Sequence, residues 1–326
     1  MLKRLKIIGY VVIGGVGIIA LLGFSVERVI QRQVRSQFPA PGQLVTVGDH
    51  QLHLLVTGQA NDQPTVILEA GNGGFSTQWV RVQDELSQQM QVVSYDRAGY
   101  GWSEPSPYPV DLTRNAQDLQ TALDTLGIAP PYILVAHSMG GLFNLSYAAQ
   151  FPEHIAGMVF VDTTHPDMWQ HFPEAMMDQQ NNMIRLMRVM QVAAHFGVMR
   201  IINPLAAAVV DLPADEQEVS LALSANAQYI STFLQEAEIV SNLPQSMPPL
   251  SDLSNIPLVV LSANSAPDGQ TMPEGIFETM HGLHQQLATL SDEGLWRVLD
   301  GANHYSIVMS EPYALELVQA VLELTN

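Results

Sequence analysis

Cysteine is absent from the 326 residues. That excludes disulfides, thiolate metal sites and a cysteine nucleophile, and it leaves the redox compartment open. Basic charge is scarce: 13 Lys and Arg stand against 32 Asp and Glu, a formal charge of −19. Six of those basic residues fall in the first 35 positions (Lys3, Arg4, Lys6, Arg28, Arg32 and Arg35), and no lysine follows Lys6. The rest is strongly acidic, which argues against nucleic-acid partners and polyanionic substrates. Internal repeats and low-complexity tracts are missing too. What is plentiful is apolar residues, 47% of the chain. That is enough to bury a core in one large α/β domain or two ordinary ones.

The first long apolar run is residues 7–24, IIGYVVIGGVGIIALLGF, with basic residues on both sides. As a helix it spans ~27 Å, close to the hydrocarbon thickness of a bilayer. Its length favours a retained single-pass anchor over a signal peptide, although Gly23–Phe24–Ser25 leaves a cleavage site open. A short basic tail before a first span points to a cytoplasmic amino terminus. The expectation is therefore a membrane protein with its bulk on the extracytoplasmic side, joined through a polar connector that ends in Pro-Ala-Pro-Gly.

Strand and helix patterns then alternate. Strands are predicted over 51–57, 65–70, 91–95, 132–136, 157–161, 257–263 and 295–299, with helices over 75–89, 113–126, 140–150, 276–290 and 312–324. This order predicts an α/β fold, a doubly wound and mostly parallel sheet, with functional residues just past the carboxyl ends of strands. Alternation stops between 162 and 256. A connection that long is not structureless, and its Met-, Leu-, Ala- and Gln-rich composition reads as inserted helices. Met183, Met187 and Met190 form a helical stripe there, suited to core packing or to a lining that adapts to varied apolar ligands.

The stretch YILVAHSMGGLFNLSYAAQ, 132–150, runs from strand into helix with Ser138 at the join. Ala136, Gly140 and Gly141 surround it. A sharp strand-to-helix turn brings backbones close, so only small side chains fit there, and the turn thrusts its central hydroxyl outward. It also sets the Met139 N–H at the electropositive start of a helix, where an oxyanion can be held. A helix-capping serine needs no small residues on both sides.

Four stretches of residues 44–326 together resemble the α/β-hydrolase superfamily, in particular its lid-bearing, serine-nucleophile esterases and lipases. LEAGNGG (68–74) is similar to the family's first-strand loop. YDRAGYGWSEPS (95–106) is similar to its D-x-R-G-x-G-x-S segment. AHSMGG (136–141) is similar to its nucleophile elbow, and GANHYSIVMSEP (301–312) to its histidine loop. Two positions depart: Ala136 stands where the family usually has Gly, and Ala70 where it usually has His. The amino-terminal run gives an expected basic tail (1–6), transmembrane anchor (7–24) and connector (25–43), to which the resemblance adds a hydrolase core in two parts (44–164 and 255–326) and a helical lid (165–254).

Roles follow from chemistry and chain order. A serine hydroxyl needs a base, and His304, after the last strand and before the final helix, completes the order Ser, acid, His. The acid is open between Asp162, at the end of GMVFVD, and Asp268, in the loop after PLVVLSA, with register leaning to Asp162. The backbone N–H groups of Met139 and Asn72 are the candidate oxyanion donors. Asp96, Arg97 and Gly99 brace a nearby turn. Gly71, His165, Trp79, Met183 and Met187 are candidate lining residues. His281 and His284, three apart on a helix, lack a third metal ligand and read as a solvated face; His137 packs locally. The glycines at 71–74 are no phosphate loop, since no Gly-Lys-Ser/Thr follows. The expected chemistry is acyl transfer from a largely apolar small molecule or lipid to water, with no metal or organic cofactor. A tethered binding protein, a peptidase and a carbon–carbon hydrolase are the alternatives.

Overall fold

The computed structural model describes residues 2–243 and 253–325. Eight strands form one sheet in the order β1-β2-β4-β3-β5-β6-β7-β8. They are β1 Gln43–Val47, β2 His50–Thr57, β3 Thr65–Glu69, β4 Val92–Asp96, β5 Tyr132–His137, β6 Ile155–Val161, β7 Leu258–Ser265 and β8 Gly294–Asn303. β2 runs antiparallel to β1 and β4, and the remaining pairs are parallel. Every residue of β3, β4 and β5 is buried, as expected of parallel strands covered on both faces.

Helices do the covering. α3 (Leu112–Thr125), α4 (Gly140–Gln150) and α9 (Ile276–Ala288) pack on one face through Leu119, Leu123, Leu145 and Leu287. α2 (Val80–Leu86) and α11 (Glu311–Glu323) pack on the other through Val82, Leu86, Leu317 and Val321. The helix predicted over 75–89 is split, with a 3₁₀ turn Ser76–Trp79 before α2, and a short α10 (Ser306–Met309) precedes α11.

Between β6 and β7 the chain forms α5 (Met168–His171), α6 (Glu174–Ala194), α7 (Ala214–Ser224) and α8 (Ala227–Ser241). Their own core includes Ile184, Met187, Leu223 and Ile230. The last part of the expected lid, 244–252, lies outside the described residues.

The amino-terminal expectation is corrected. Residues 7–24 belong to α1, a 36-residue helix Leu2–Gln37. Among the described residues no helix is long and apolar enough to cross a membrane, which overturns the single-pass membrane placement. The connector expected over 25–43 is helical as far as Gln37 and docked on the body. Glu27, almost fully buried, accepts two hydrogen bonds from Arg200, at 2.8 and 2.9 Å. Val34 packs on the insertion's core, and Phe38 O accepts from Trp102 Nε1 at 2.8 Å. A count of apolar residues registers the run but not the docked half that continues it.

Candidate active site

Adjacent strands end side by side, and this brings distant parts of the sequence together. Ser138 follows β5, Asp162 follows β6 and His304 follows β8. Ser138 and Asp162 are the two non-glycine residues with positive φ among the described ones, at +54° and +46°. Each such conformation costs about 1–3 kcal/mol and persists only where the surroundings impose it. Those surroundings are visible: Ser138 N donates to Val161 O at 3.1 Å, Thr164 N donates to Ser138 O at 3.0 Å, and Asp162 N donates to Leu261 O at 2.7 Å. Small neighbours are obligatory. A Cβ on Gly71 would lie 2.9 Å from Ser138 Cβ, and one on Gly140 would lie 2.7 Å from Glu69 O.

The three side chains form a relay. Ser138 Oγ lies 3.0 Å from His304 Nε2, and His304 Nδ1 lies 2.6 Å from Asp162 Oδ2. Asp162 Oδ1 accepts a further bond from Ala263 N at 3.1 Å. Burial alone would raise the Asp162 pKa, but the hydrogen bond and charge of His304 outweigh it and hold the carboxyl below the usual carboxylate range. An ionised Asp162 fixes the proton on His304 Nδ1, so Nε2 is free to accept from the serine.

Asp268, the other candidate acid, lies on an exposed loop and makes no hydrogen bond to His304 among the described residues; the Asp162 carboxylate occupies that partner's place. His137 donates from Nε2 to His304 O at 2.7 Å, and its ring centroid lies 4.7 Å from that of His304. Burial and the neighbouring His304 push its pKa down to about 3, so it stays neutral.

His284 is a correction: it is buried, not on a solvated face. It donates to Thr163 O at 2.9 Å and accepts from Ser262 Oγ at 2.7 Å, bracing the turn that carries Asp162. His281 is half-buried on Ala263 O. Among the described residues no group of three or more His, Asp or Glu is placed to hold a metal ion.

A cavity of about 410 Å³ opens over Ser138. Gly71, Asn72, Met139, Met183 and His304 line it. Three expected lining residues do not. Trp79 is fully buried against α2 and α11. Met187 points into the insertion's own core. His165 turns its Nδ1 to the Asp167 N–H at 3.0 Å. Trp169, Phe233 and Tyr305 line the cavity instead, and nothing local in the sequence distinguishes them from packing residues. Among the described residues neither the Asn72 nor the Met139 N–H is spent on a backbone carbonyl.

Beneath the 70–74 loop lies a buried charge network. Arg97 bonds Glu69 on β3 and Glu236 on α8, and Tyr95 donates to Glu69. Burial outweighs the pull of Arg97 and raises the Glu69 pKa from 4.5 to about 7. The folded protein therefore holds a proton there that the unfolded chain releases. The resulting stabilisation is full below pH 4.5 and is lost as pH rises through about 7. Relative to Glu69→Gln, whose amide does not titrate, the wild type is expected to lose stability over that window, by urea unfolding at each pH. A constant difference between the two across pH 4.5–7 refutes the assignment.

Residues 64–193 match the family model described as alpha/beta hydrolase fold. A protein of Hormonema carpetanum named "Probable transporter efuK" is 30% identical over 217 residues, covering 63% of this chain and 30% of that protein. An AB hydrolase superfamily protein of Gibberella zeae is 32% identical over 129 residues, covering 36% of this chain and 40% of that protein. The chain thus spans well under half the length of these curated relatives. A thermophilic esterase from Thermogutta terrifontis superimposes with a TM-score of 0.59 at 19% identity, over 87% of this chain and 98% of the esterase; that likeness concerns the fold alone.

Proposed function

We infer, from the match of residues 64–193 to the alpha/beta hydrolase fold model and from the geometry around Ser138, that the chain is a serine hydrolase acting on an uncharged ester or related acyl compound. One observation carries the reading: Ser138 Oγ, His304 and Asp162 stand in unbroken hydrogen-bond contact at 3.0 and 2.6 Å. His304 Nε2 takes the serine proton as Oγ attacks the carbonyl carbon. The oxyanion is held by the Met139 and Asn72 N–H groups. His304 returns the proton to the leaving group, and the acyl chain stays on Ser138. A water that gives its proton to His304 then releases the acid and restores the serine.

The substrate class follows from the cavity wall. Among the described residues it includes no Asp, Glu, Lys or Arg, and Trp169, Leu205 and Phe233 give it apolar surface. A charged acyl group would lose its hydration there without gaining a partner. Those three residues belong to the insertion between β6 and β7, which acts on this reading as the lid.

A fluorophosphonate is expected to label the folded protein at Ser138. In a series of p-nitrophenyl esters, neutral acyl chains are expected to exceed a carboxylate-bearing chain of equal length by about tenfold or more in kcat/KM, the factor that 1.4 kcal/mol of unpaired desolvation supplies. Folded wild-type protein that takes no label and cleaves no ester ends the proposal.

A further inference from the structure

The Arg97 guanidinium is almost fully buried and uses its donors on four partners. Nη1 bonds Glu69 Oε1 and Ala70 O, each at 2.5 Å. Nη2 bonds Gly71 O at 2.8 Å. Nε and Nη2 take the two oxygens of Glu236 at 2.8 and 2.9 Å. The two carbonyls decide where the neighbouring N–H groups point. In a planar trans peptide the C=O and the following N–H are antiparallel. Drawing Gly71 O toward Arg97 therefore turns the Asn72 N–H the opposite way, off the guanidinium side of the loop. The Asn72 N–H is the second oxyanion donor of the serine-hydrolase reading, on which this inference rests.

An arginine side chain has several rotatable bonds, and a single contact does not fix its plane. A two-pronged carboxylate does. Glu236 supplies that fork, and it comes from the insertion, not from the sheet. Its outer oxygen is held in turn by Tyr100 Oη at 2.9 Å. The same helix, α8, grips the loop again two residues on, where Tyr229 Oη donates to Gly73 O at 2.6 Å. We propose that Glu236 is a positioning residue: through Arg97 it fixes the Gly71–Asn72 peptide and so aims the oxyanion donor, making α8 of the insertion a working part of the hole. Displacement of α8 would slacken the donor, so the seating of the insertion and the rate of acyl transfer are linked through these contacts.

A bland role competes. Glu236 could do no more than neutralise a buried cation, and then only stability would depend on it. Two variants separate the roles. Glu236→Gln keeps the shape and removes the charge. Glu236→Asp keeps the charge but falls one methylene short of the fork. Positioning predicts that both lower kcat per fluorophosphonate-titrated site by about 10²-fold, the cost of an ångström of misplacement, with KM within about twofold. Affinity for a trifluoromethyl ketone, whose adduct carries an oxyanion, should fall in parallel. Exchange of the Gly74 amide, which donates to Gly71 O at 3.0 Å and needs no turnover to read, should quicken about tenfold or more in both variants as the peptide loosens. Charge neutralisation predicts a lowered Tm for Glu236→Gln, little change for Glu236→Asp, and unchanged kcat per titrated site in both. Unchanged Gly74 exchange in a folded variant overturns the proposal, whatever the turnover. An unlabelled, inactive wild type would instead remove the serine-hydrolase reading, and the exchange result would still say whether Glu236 holds the loop.

Discussion

Ser138→Ala is expected to lower kcat for a neutral p-nitrophenyl ester by about 10⁵–10⁶-fold, the scale seen when the triad nucleophile is removed from a serine hydrolase. Ser138 has the one hydroxyl bonded to His304 Nε2 among the described residues, so no second nucleophile inherits the proton path. The variant should fold. Its backbone bonds to Val161 and Thr164 involve main-chain atoms only, and alanine at φ +54° meets the same Cβ penalty as serine. Stability should therefore change by less than about 1 kcal/mol. A residual rate about 10³–10⁴ above water is expected, because the oxyanion donors and the cavity remain. Single-turnover kinetics on protein of verified Tm checks this. Retention of a tenth or more of wild-type turnover would place the chemistry elsewhere.

How far the sequence reaches depends on how far apart the interacting residues lie along it. The strand, turn and helix around Ser138 are contiguous, and the demand for small residues at 140 and 141 comes from the neighbouring strand ends, where a Cβ would lie 2.7 Å from Glu69 O and 2.8 Å from Thr163 Cβ. The backbone contact of Gly140 with β3 could be anticipated because any such turn must pass near the neighbouring strand. The alternating core was legible for the same reason: buried parallel strands are short apolar runs bounded by turns. The choice between Asp162 and Asp268 was not, since both follow strands in the right order. It depends on β6, β7 and β8 lying side by side, with the Asp162 carboxylate reaching sideways to Ala263 N and His304. α1 misled for a different reason. Hydropathy reads residues 7–24 alone, whereas Glu27 and Val34 seat the second half of the helix on the body. Glu236 left one faint signal: with Tyr229, Phe233 and Val240 it falls at helical spacing on the inner side of α8, where a carboxylate without a buried cation would be costly.

Asp162→Asn is expected to lower kcat by about 10⁴-fold, while Asp268→Asn leaves it within about twofold. The argument turns on a tautomer. The ionised Asp162 carboxylate accepts the Nδ1 proton of His304 at 2.6 Å, so Nε2 presents a lone pair to Ser138. An amide at that position can offer an N–H instead. Nδ1 then accepts, the ring proton moves to Nε2, and the serine faces a donor that cannot take its hydrogen. Shape is kept, so KM should move little. Stability gives an independent check with a definite sign. The folded-state pKa of Asp162 is depressed from its ordinary value of 3.8. Its stabilisation is therefore present above that value and lost as pH falls below it toward the folded value. The stability gap between wild type and Asp162→Asn should accordingly be constant near neutrality and narrow below about pH 4, a trend opposite to that of Glu69. Loss of activity on Asp268→Asn with Asp162→Asn fully active would mean that the His304 ring takes its orientation from the exposed loop in solution, and that the 2.6 Å contact plays no part in turnover.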